Sequence, residues 1–241
     1  MNEPITLFLL PFAGGSSYSY KEFTKYESEK LKLSPLELPG RGKRIRENLM
    51  TDVHELVDDI FKQISTKLEK PYMIYGHSMG TLLTFLLTKK IIKNGLNPPL
   101  WLFLTGSVGP SVIENRKTKY HLLPAGDFMN KVKQLGGLPD EILTHPELLE
   151  FYSPILRADF EVVEKYQHHS TIPMNIPIDV TIGTQDEASW EDAEKWQLET
   201  LEPLSLNQYQ GNHFFIYQHT DKIMENISSR VELCLEAEYS V

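Results

Sequence analysis

The sequence predicts an α/β fold, with a mostly parallel central sheet that is flanked by helices on both faces. Short apolar runs bounded by turn residues recur along the 241 residues, and segments with a helical hydrophobic period lie between several of them. Strands that are connected through helices pair in parallel, which places helices on both sides of the sheet. The sequence contains no internal repeat, low-complexity tract or linker, so we predict a single domain over residues 1–241.

Six apolar runs are the predicted strands, because each is short and bounded by residues that favour turns. They are Ile5 to Pro11, Leu33 to Leu38, Tyr72 to Gly76, Leu100 to Ser107, Ile178 to Gly183 and Leu204 to Tyr209.

Three segments have the spacing of helices that pack on this sheet. Residues 56–68 place their apolar side chains on one face of a helix. The segment Thr81 to Lys93 is apolar nearly all round and Gly95 is placed to end it, so we expect a buried central helix. Apolar residues recur at helical spacing from Ile223 to Leu235, and this last helix is expected to pack back on the sheet.

The alternation stops between about residues 108 and 171, where no convincing strand is found. Three helical pieces are predicted there. The first contains Phe128, Val132 and Leu135 and ends at Gly136-Gly137, the second begins at Pro146, and the third runs from Ile155 to Tyr166. A segment of this length is too long for one crossover connection. We therefore predict a helical lid insertion, at about residues 108–171, over the edge of the sheet.

Charge and composition exclude several classes of protein. A net charge of −9 argues against a nucleic-acid partner, because proteins that bind a phosphate backbone are usually basic. No apolar stretch approaches the roughly 20 residues that cross a bilayer, and no signal peptide is recognisable, so no membrane association is expected. The single Cys234 permits neither an internal disulfide nor a thiolate metal cluster, and a reducing, cytoplasmic location fits.

The segment Gly76-His77-Ser78-Met79-Gly80 satisfies the pattern G-x-S-x-G, which marks a nucleophilic serine. It follows a predicted strand and precedes the apolar helix, the context in which the glycines allow a tight strand-to-helix turn. The α/β-hydrolase fold is therefore predicted, with Ser78 as its catalytic nucleophile. His77 is interpreted as a residue of the turn, because adjacent side chains on so sharp a turn diverge.

A serine hydroxyl needs a base, and the base needs an orienting group. In this fold the acid and then the histidine follow the serine in the chain. Asp186 lies on a loop just after the fifth predicted strand and His213 on a loop after the sixth, so they are the predicted orienter and base. Glu187 is the alternative orienter.

Acyl transfer also requires donors for the oxyanion that forms in the transition state. One is expected to be the backbone N–H of Met79, at the start of the helix. The loop Pro11-Phe12-Ala13-Gly14-Gly15 follows the first strand, and the backbone N–H of Ala13 is the candidate second donor.

The chain resembles the type II thioesterases that accompany nonribosomal peptide and polyketide synthetases. Besides the motifs above, the resemblance rests on these segments: Leu38-Pro39-Gly40-Arg41-Gly42, His121-Leu122-Leu123-Pro124, Gln134-Leu135-Gly136-Gly137-Leu138-Pro139, Arg157-Ala158-Asp159, and the Gly183 to Asp186 and Gly211 to His213 loops. The last loop reads Gly211-Asn212-His213 where many relatives carry Gly-Gly-His, a departure that leaves the base in place.

This resemblance implies hydrolysis of acyl, aminoacyl or peptidyl thioesters on the phosphopantetheine arm of a carrier domain. It implies the same roles for Ser78, Asp186, His213, Ala13 and Met79, and no metal or organic cofactor. Because the sequence ends at Val241 without a carrier domain, the carrier domain is expected to belong to another protein and hydrolysis to occur in trans. The enzyme is expected to be a monomer.

The sequence leaves two other hypotheses about the function open. A medium-chain fatty acyl thioesterase or a general carboxylesterase would carry the same three catalytic residues, and a non-catalytic docking module is a different class of hypothesis.

Since carrier domains are commonly acidic, a basic cluster after the second strand is a candidate docking patch. The cluster comprises Arg41, Lys43, Arg44 and Arg46.

Overall fold

A computed structural model describes residues 3–113, 118–136 and 145–238 of the chain. Its centre is a parallel sheet in the order β2-β1-β3-β4-β5-β6. The strands are β1 Ile5–Leu10, β2 Leu31–Pro35, β3 Tyr72–His77, β4 Leu102–Thr105, β5 Ile178–Gly183 and β6 Ser205–Tyr209. The predicted parallel sheet flanked by helices is confirmed.

The helices connect and cover these strands. They are α1 Val53–Ile64, α2 Met79–Lys93, α3 Pro110–Ile113, α4 Ala125–Leu135, α5 Pro146–Lys165, α6 Trp190–Ala193 and α7 Thr220–Glu238. The start of α1 is fixed by Asp52, whose carboxylate accepts hydrogen bonds from the N–H groups of His54 and Glu55. Gly95 follows α2 with a φ of 67°, the left-handed conformation that ends helices, as predicted.

The strand β1 shows how the sheet divides the core into two layers. Phe8 and Leu10 point into the layer that α1 and α2 cover, whereas Leu7 and Leu9 point into the layer that α7 covers. This alternation follows from the two-residue period of a strand. Both faces of the sheet are therefore buried, and functional groups can gather only at its ends and edges.

The strand order reverses direction between β1 and β3. The chain runs from β1 outward to β2 and then returns to place β3 on the other side of β1. In open α/β sheets such a point leaves a crevice outside the carboxyl ends of the strands, where ligands bind. The loop 11–15 after β1 and the turn at Ser78 after β3 both lie there.

The described part of the region 108–171 contains helices and no strand, as predicted. A small apolar cluster joins α4 to α5 through Phe128, Val132 and Leu156, apart from the two layers of the main core. Part of the predicted ending at Gly136-Gly137, together with Leu138 and Pro139 of the family-like motif, lies outside the described residues.

The prediction of separate helical pieces at Pro146 and at Ile155 is wrong. The structure has one helix of 20 residues, with Pro154 inside it. A proline inside a helix removes one backbone hydrogen bond. Burial of Ile155, Leu156 and Val162 on the same helix favours continuation.

Candidate active site

Ser78 lies at the turn between β3 and α2, with a backbone conformation that is rare for a residue with a side chain. Its φ is 52° and its ψ is −118°, and among the described residues it is the only non-glycine residue with a positive φ. Its N–H donates to the Thr105 carbonyl at 2.9 Å, which ties the turn to the end of β4. Strain that the surroundings hold in place is typical of functional residues.

The two glycines of the turn are required by close contact with the backbone. A Cβ atom on Gly76 would clash with the carbonyl of Gly80. A Cβ atom on Gly80 would lie 2.7 Å from the carbonyl oxygen of Leu10 and 3.0 Å from that of Pro11. The pattern G-x-S-x-G therefore reflects the packing of this turn against β1, as well as its curvature.

The structure brings together the three side chains that the sequence predicts. Nε2 of His213 lies 2.9 Å from Oγ of Ser78. Nδ1 of the same ring lies 2.9 Å from Oδ1 and 3.1 Å from Oδ2 of Asp186. Ser78 and His213 are 135 positions apart in sequence, and they meet because the parallel strands β3 and β6 end at the same edge of the sheet.

Asp186 is held in its charged form. Burial opposes its ionisation, but the hydrogen bond and the charge of His213 outweigh burial and lower the pKa of this carboxyl below its usual value. The carboxylate accepts a hydrogen bond from Nδ1–H, which leaves the lone pair of the neutral ring on Nε2, directed at Ser78. Glu187, the alternative orienter, instead forms an ion pair with Lys131.

His77 lies behind the imidazole of His213, with 5.0 Å between the ring centroids. Burial lowers the pKa of His77 well below its ordinary value, and the proximity of His213 lowers it further. Nδ1 is 3.1 Å from the Thr105 carbonyl oxygen, which makes it the donor in a neutral ring. The ring of His77 hydrogen-bonds to Thr105 of β4, whereas Ser78 Oγ is paired with His213, in agreement with the interpretation of His77 as a turn residue.

The two candidate oxyanion donors border the same pocket as the serine. Ala13 and Met79 both line it, together with Ser78 and His213. Within the described residues, neither the N–H of Ala13 nor that of Met79 donates a hydrogen bond to a protein acceptor. Free donors beside a nucleophile are what a developing oxyanion needs.

The pocket extends from Ser78 toward α4 and α5. Its apolar lining includes Leu82, Ile113, Leu135, Phe160 and Val163. Charged groups border it as well: Lys131, 12% exposed in its side chain, Glu164, 6% exposed, and Glu187. The space beside the nucleophile can therefore hold an acyl chain with a mostly apolar body.

The structure corrects the interpretation of the basic cluster after β2. Arg41 is buried and forms an ion pair with Asp159. Arg44 is partly buried and pairs with Glu47 and Asp59. Of the predicted patch, only Lys43 and Arg46 are exposed. The pairing of Arg41 with Asp159, 118 positions away, is not indicated by the sequence, because Arg41 stands among other basic residues in a pattern typical of a solvated surface.

Neither a metal centre nor a membrane-spanning helix is found within the described residues. No group of three or more histidine, cysteine, aspartate or glutamate side chains there could hold a metal ion. No helix there combines the length and the apolar character needed to cross a bilayer.

Comparison with known proteins identifies the family of this chain. The sequence model of the thioesterase domain family matches residues 5–231. The gramicidin S biosynthesis protein GrsT of Aneurinibacillus migulanus is 31% identical over 96% of this chain and 90% of its own. The medium-chain S-acyl fatty acid synthase thioesterase of Homo sapiens is 27% identical over 95% of this chain and 87% of its own.

Among solved structures, ClbQ from the colibactin NRPS/PKS pathway superposes with a TM-score of 0.90 at 28% identity. The superposition covers 95% of this chain and 97% of ClbQ. The family model matches residues 5–231, and identity to GrsT is 31% across almost the whole sequence. This chain therefore belongs to the thioesterase domain family, and it is an enzyme of the α/β-hydrolase fold that hydrolyses thioesters.

Proposed function

We propose that this chain is a type II thioesterase, which removes acyl, aminoacyl or peptidyl groups from carrier proteins of a nonribosomal peptide or polyketide synthetase. The observation that carries the catalytic part is the chain of contacts from Ser78 through His213 to Asp186, with 2.9 Å at each of its two links. Similarity to GrsT, a gramicidin S biosynthesis protein, and to ClbQ, from the colibactin NRPS/PKS pathway, supports the choice of substrate.

The mechanism follows from the contacts. Ser78 Oγ attacks the thioester carbonyl carbon while Nε2 of His213 accepts the hydroxyl proton. The carbonyl oxygen becomes an oxyanion, which the N–H groups of Ala13 and Met79 stabilise. The tetrahedral intermediate collapses, the C–S bond breaks, His213 gives its proton to the departing thiolate, and the acyl group remains on Ser78.

The leaving group needs little help in this step, because a thiol has a pKa near 8.5 and departs far more readily than an alcohol. In the second half, His213 accepts a proton from water, which attacks the acyl-serine ester. Collapse of the second intermediate releases the acid and returns the proton to Ser78. These steps use side chains and backbone groups of the chain, with no organic cofactor or metal.

The substrate reaches the serine on the phosphopantetheine arm of a separate carrier protein, and the enzyme acts as a cytoplasmic monomer in this proposal. The helices α4 and α5 form a lid within the single domain, since they have their own apolar cluster and line the pocket above Ser78. Lys43 and Arg46, the exposed part of the basic cluster, are the proposed contacts for an acidic carrier surface.

A panel of substrates tests this function. Wild type and Ser78→Ala are offered the same acyl group on a carrier domain, on coenzyme A and as a nitrophenyl ester. We expect the wild type to have its highest kcat/KM on the carrier domain, and Ser78→Ala to lose turnover of all three. Preference for the nitrophenyl ester would contradict the proposal and favour a general carboxylesterase.

A second candidate is a medium-chain fatty acyl thioesterase, which similarity to the human enzyme favours. The apolar pocket lining suits such a chain. A series of acyl lengths on one carrier separates the two candidates. A sharp maximum at medium-length fatty acyl groups, with poor removal of aminoacyl groups, would favour the second.

A further inference from the structure

We infer that Asp159 is a positioning residue for the oxyanion site, acting through the loop that carries Ala13; the inference rests on the proposed function of that site. The side chain of Asp159 is completely buried on α5. Its Oδ2 accepts a hydrogen bond from the N–H of Gly14 at 2.7 Å. Gly14 directly follows Ala13, whose N–H is the proposed second oxyanion donor.

Arg41 completes this arrangement from the loop after β2. Its two terminal nitrogens donate to the two oxygens of Asp159, at 2.5 Å and 2.7 Å. One of these nitrogens also donates to the carbonyl of Gly15 at 3.4 Å. The Arg41–Asp159 pair therefore binds the N–H of Gly14 through Asp159 and the carbonyl of Gly15 through Arg41. It links α5 to the loops after β1 and β2.

These contacts determine the direction of the Ala13 N–H. The Phe12 carbonyl and the Ala13 N–H belong to one planar peptide group. The N–H of Gly15 donates to that carbonyl at 2.8 Å, which closes a tight turn around Ala13. Since Asp159 and Arg41 fix Gly14 and Gly15, they fix the turn and with it the donor that faces the pocket.

Stability alone is a poor reason to bury this pair. Removal of two charges from water is costly, and well-packed apolar side chains of similar volume often stabilise a core as well or better. The pair has a geometric effect that apolar side chains would lack, because only a fixed acceptor can hold the N–H of Gly14 in place. A displacement of about 1 Å at a reacting group can cost about 100-fold in rate.

A second buried carboxylate offers a matched control. Asp179 is 2% exposed and accepts hydrogen bonds from Arg230, Trp101 and Asn226. It lies at the beginning of β5, whereas Asp186 and the other site residues follow the ends of their strands. Asp179→Asn thus disturbs a buried carboxylate that is paired with a partly buried arginine, at the opposite end of the sheet from Ser78.

The test compares wild type, Asp159→Asn and Asp179→Asn. For each we measure kcat and KM on an acyl thioester, and the inhibition constant of a trifluoromethyl ketone that matches the acyl group. Attack by Ser78 on this ketone yields a tetrahedral oxyanion, so its affinity reports the oxyanion site. Melting temperatures establish that each variant is folded under the conditions of the assay.

For Asp159→Asn we expect kcat to fall by about 10- to 100-fold with KM within about threefold, and the inhibition constant to rise by the same factor as kcat falls. Asp179→Asn should keep kcat and the inhibition constant within about threefold of wild type. Arg41→Lys keeps the charge but loses the bidentate contact with Asp159. It should also lower kcat and raise the inhibition constant with KM nearly unchanged, but by smaller factors than Asp159→Asn. If Asp159→Asn fails to fold, Arg41→Lys decides.

The inference is overturned if the loss in kcat is no larger than for Asp179→Asn, if KM alone rises, or if the inhibition constant does not change. Failure of the proposed function has a different signature, because the wild type would then show no thioester turnover that depends on Ser78.

Discussion

At Ser78 a strained backbone and a neighbouring imidazole act on the same hydroxyl. The positive φ directs the side chain above the sheet edge, and Nε2 of His213 lies 2.9 Å from Oγ. Asp186 holds the His213 ring in place and stabilises the tautomer in which Nε2 carries the lone pair. The role of Asp186 in the proposed mechanism is therefore to select a tautomer and to stabilise the imidazolium that forms.

Asp186→Asn tests this role directly. The amide keeps the shape of the side chain but can present its N–H₂ to Nδ1, which favours the tautomer with a proton on Nε2. We expect kcat to fall by roughly 10³- to 10⁴-fold, with KM nearly unchanged. Steady-state kinetics on an acyl thioester measure this, with Glu187→Gln as the matched control. A similar loss for Glu187→Gln would contradict the assignment of the orienter.

His77 gives a prediction about pH and stability. Its imidazole is buried and neutral in the folded chain, whereas in the unfolded chain it binds a proton as the pH falls through about 6.5. Because the unfolded state then binds more protons, this contribution to stability is present above that pH and is lost as the pH falls. Between pH 7.5 and 5.5 the loss should be about 1.4 kcal/mol in the free energy of unfolding.

Urea unfolding at both pH values checks this for wild type and His77→Asn. The variant should lose about 1.4 kcal/mol less than wild type over the same interval. Equal losses in the two proteins would show that His77 does not remain neutral in the folded chain.

The residues that the structure gathers around Ser78 could be found from sequence, whereas those that support the oxyanion loop could not. Asp186 and His213 each follow a recognisable strand, and parallel strands end at a common edge. Arg41 stands among other basic residues, a pattern typical of a solvated surface. Its burial against Asp159 depends on the position of α5, which the local sequence does not encode.

At the scale of elements, the turn between β3 and α2 depends on contact with β1. Gly80→Ala would place a Cβ atom 2.7 Å from the Leu10 carbonyl oxygen, so the turn or the strand must shift. We expect a loss of about 1–3 kcal/mol in the free energy of unfolding, together with a loss of kcat. Denaturant unfolding and steady-state kinetics measure the two effects.

Gly126 is the matched control, because it lies in α4 and a Cβ atom there meets nothing within 4 Å. Gly126→Ala should leave kcat unchanged and stabilise the fold by about 0.4–1 kcal/mol. A Gly80→Ala variant as stable and active as wild type would contradict the packing argument.

The sequence predicts the existence of each strand more accurately than the residues at which the strand begins and ends. The run Ile178 to Gly183 corresponds to β5 residue for residue, because it is buried on both faces and bounded by a proline and a turn. The second strand was placed at Leu33 to Leu38 but pairs over Leu31–Pro35. It is an edge strand with β1 as its neighbour, and pairing ends near the end of β1, while Leu36 and Leu38 remain buried in the following loop.

At the scale of the whole molecule, a net charge of −9 makes a local basic contact important for an acidic partner. The double reversal Lys43→Glu and Arg46→Glu should raise KM for a carrier-bound substrate by about 3- to 10-fold at low salt, with less effect at high salt. A small free thioester should be unaffected. Equal effects on both substrates would contradict a docking role.

Lys67→Glu with Lys70→Glu is the control for this pair. These exposed lysines lie just before β3, at the end of the sheet opposite Ser78. The same change of charge there should leave KM for the carrier-bound substrate within about twofold, since screening limits its reach to about 10 Å.

In the proposed mechanism the acyl group is bound covalently to Ser78 on its way from the carrier to water. Wild type and Ser78→Ala are mixed with an acyl-loaded carrier domain, quenched in acid within one turnover and analysed by mass spectrometry. We expect an added acyl mass on the wild-type peptide that contains Ser78, and neither an adduct nor turnover in Ser78→Ala. An acyl group on any other residue, or turnover that survives the substitution, would contradict this mechanism.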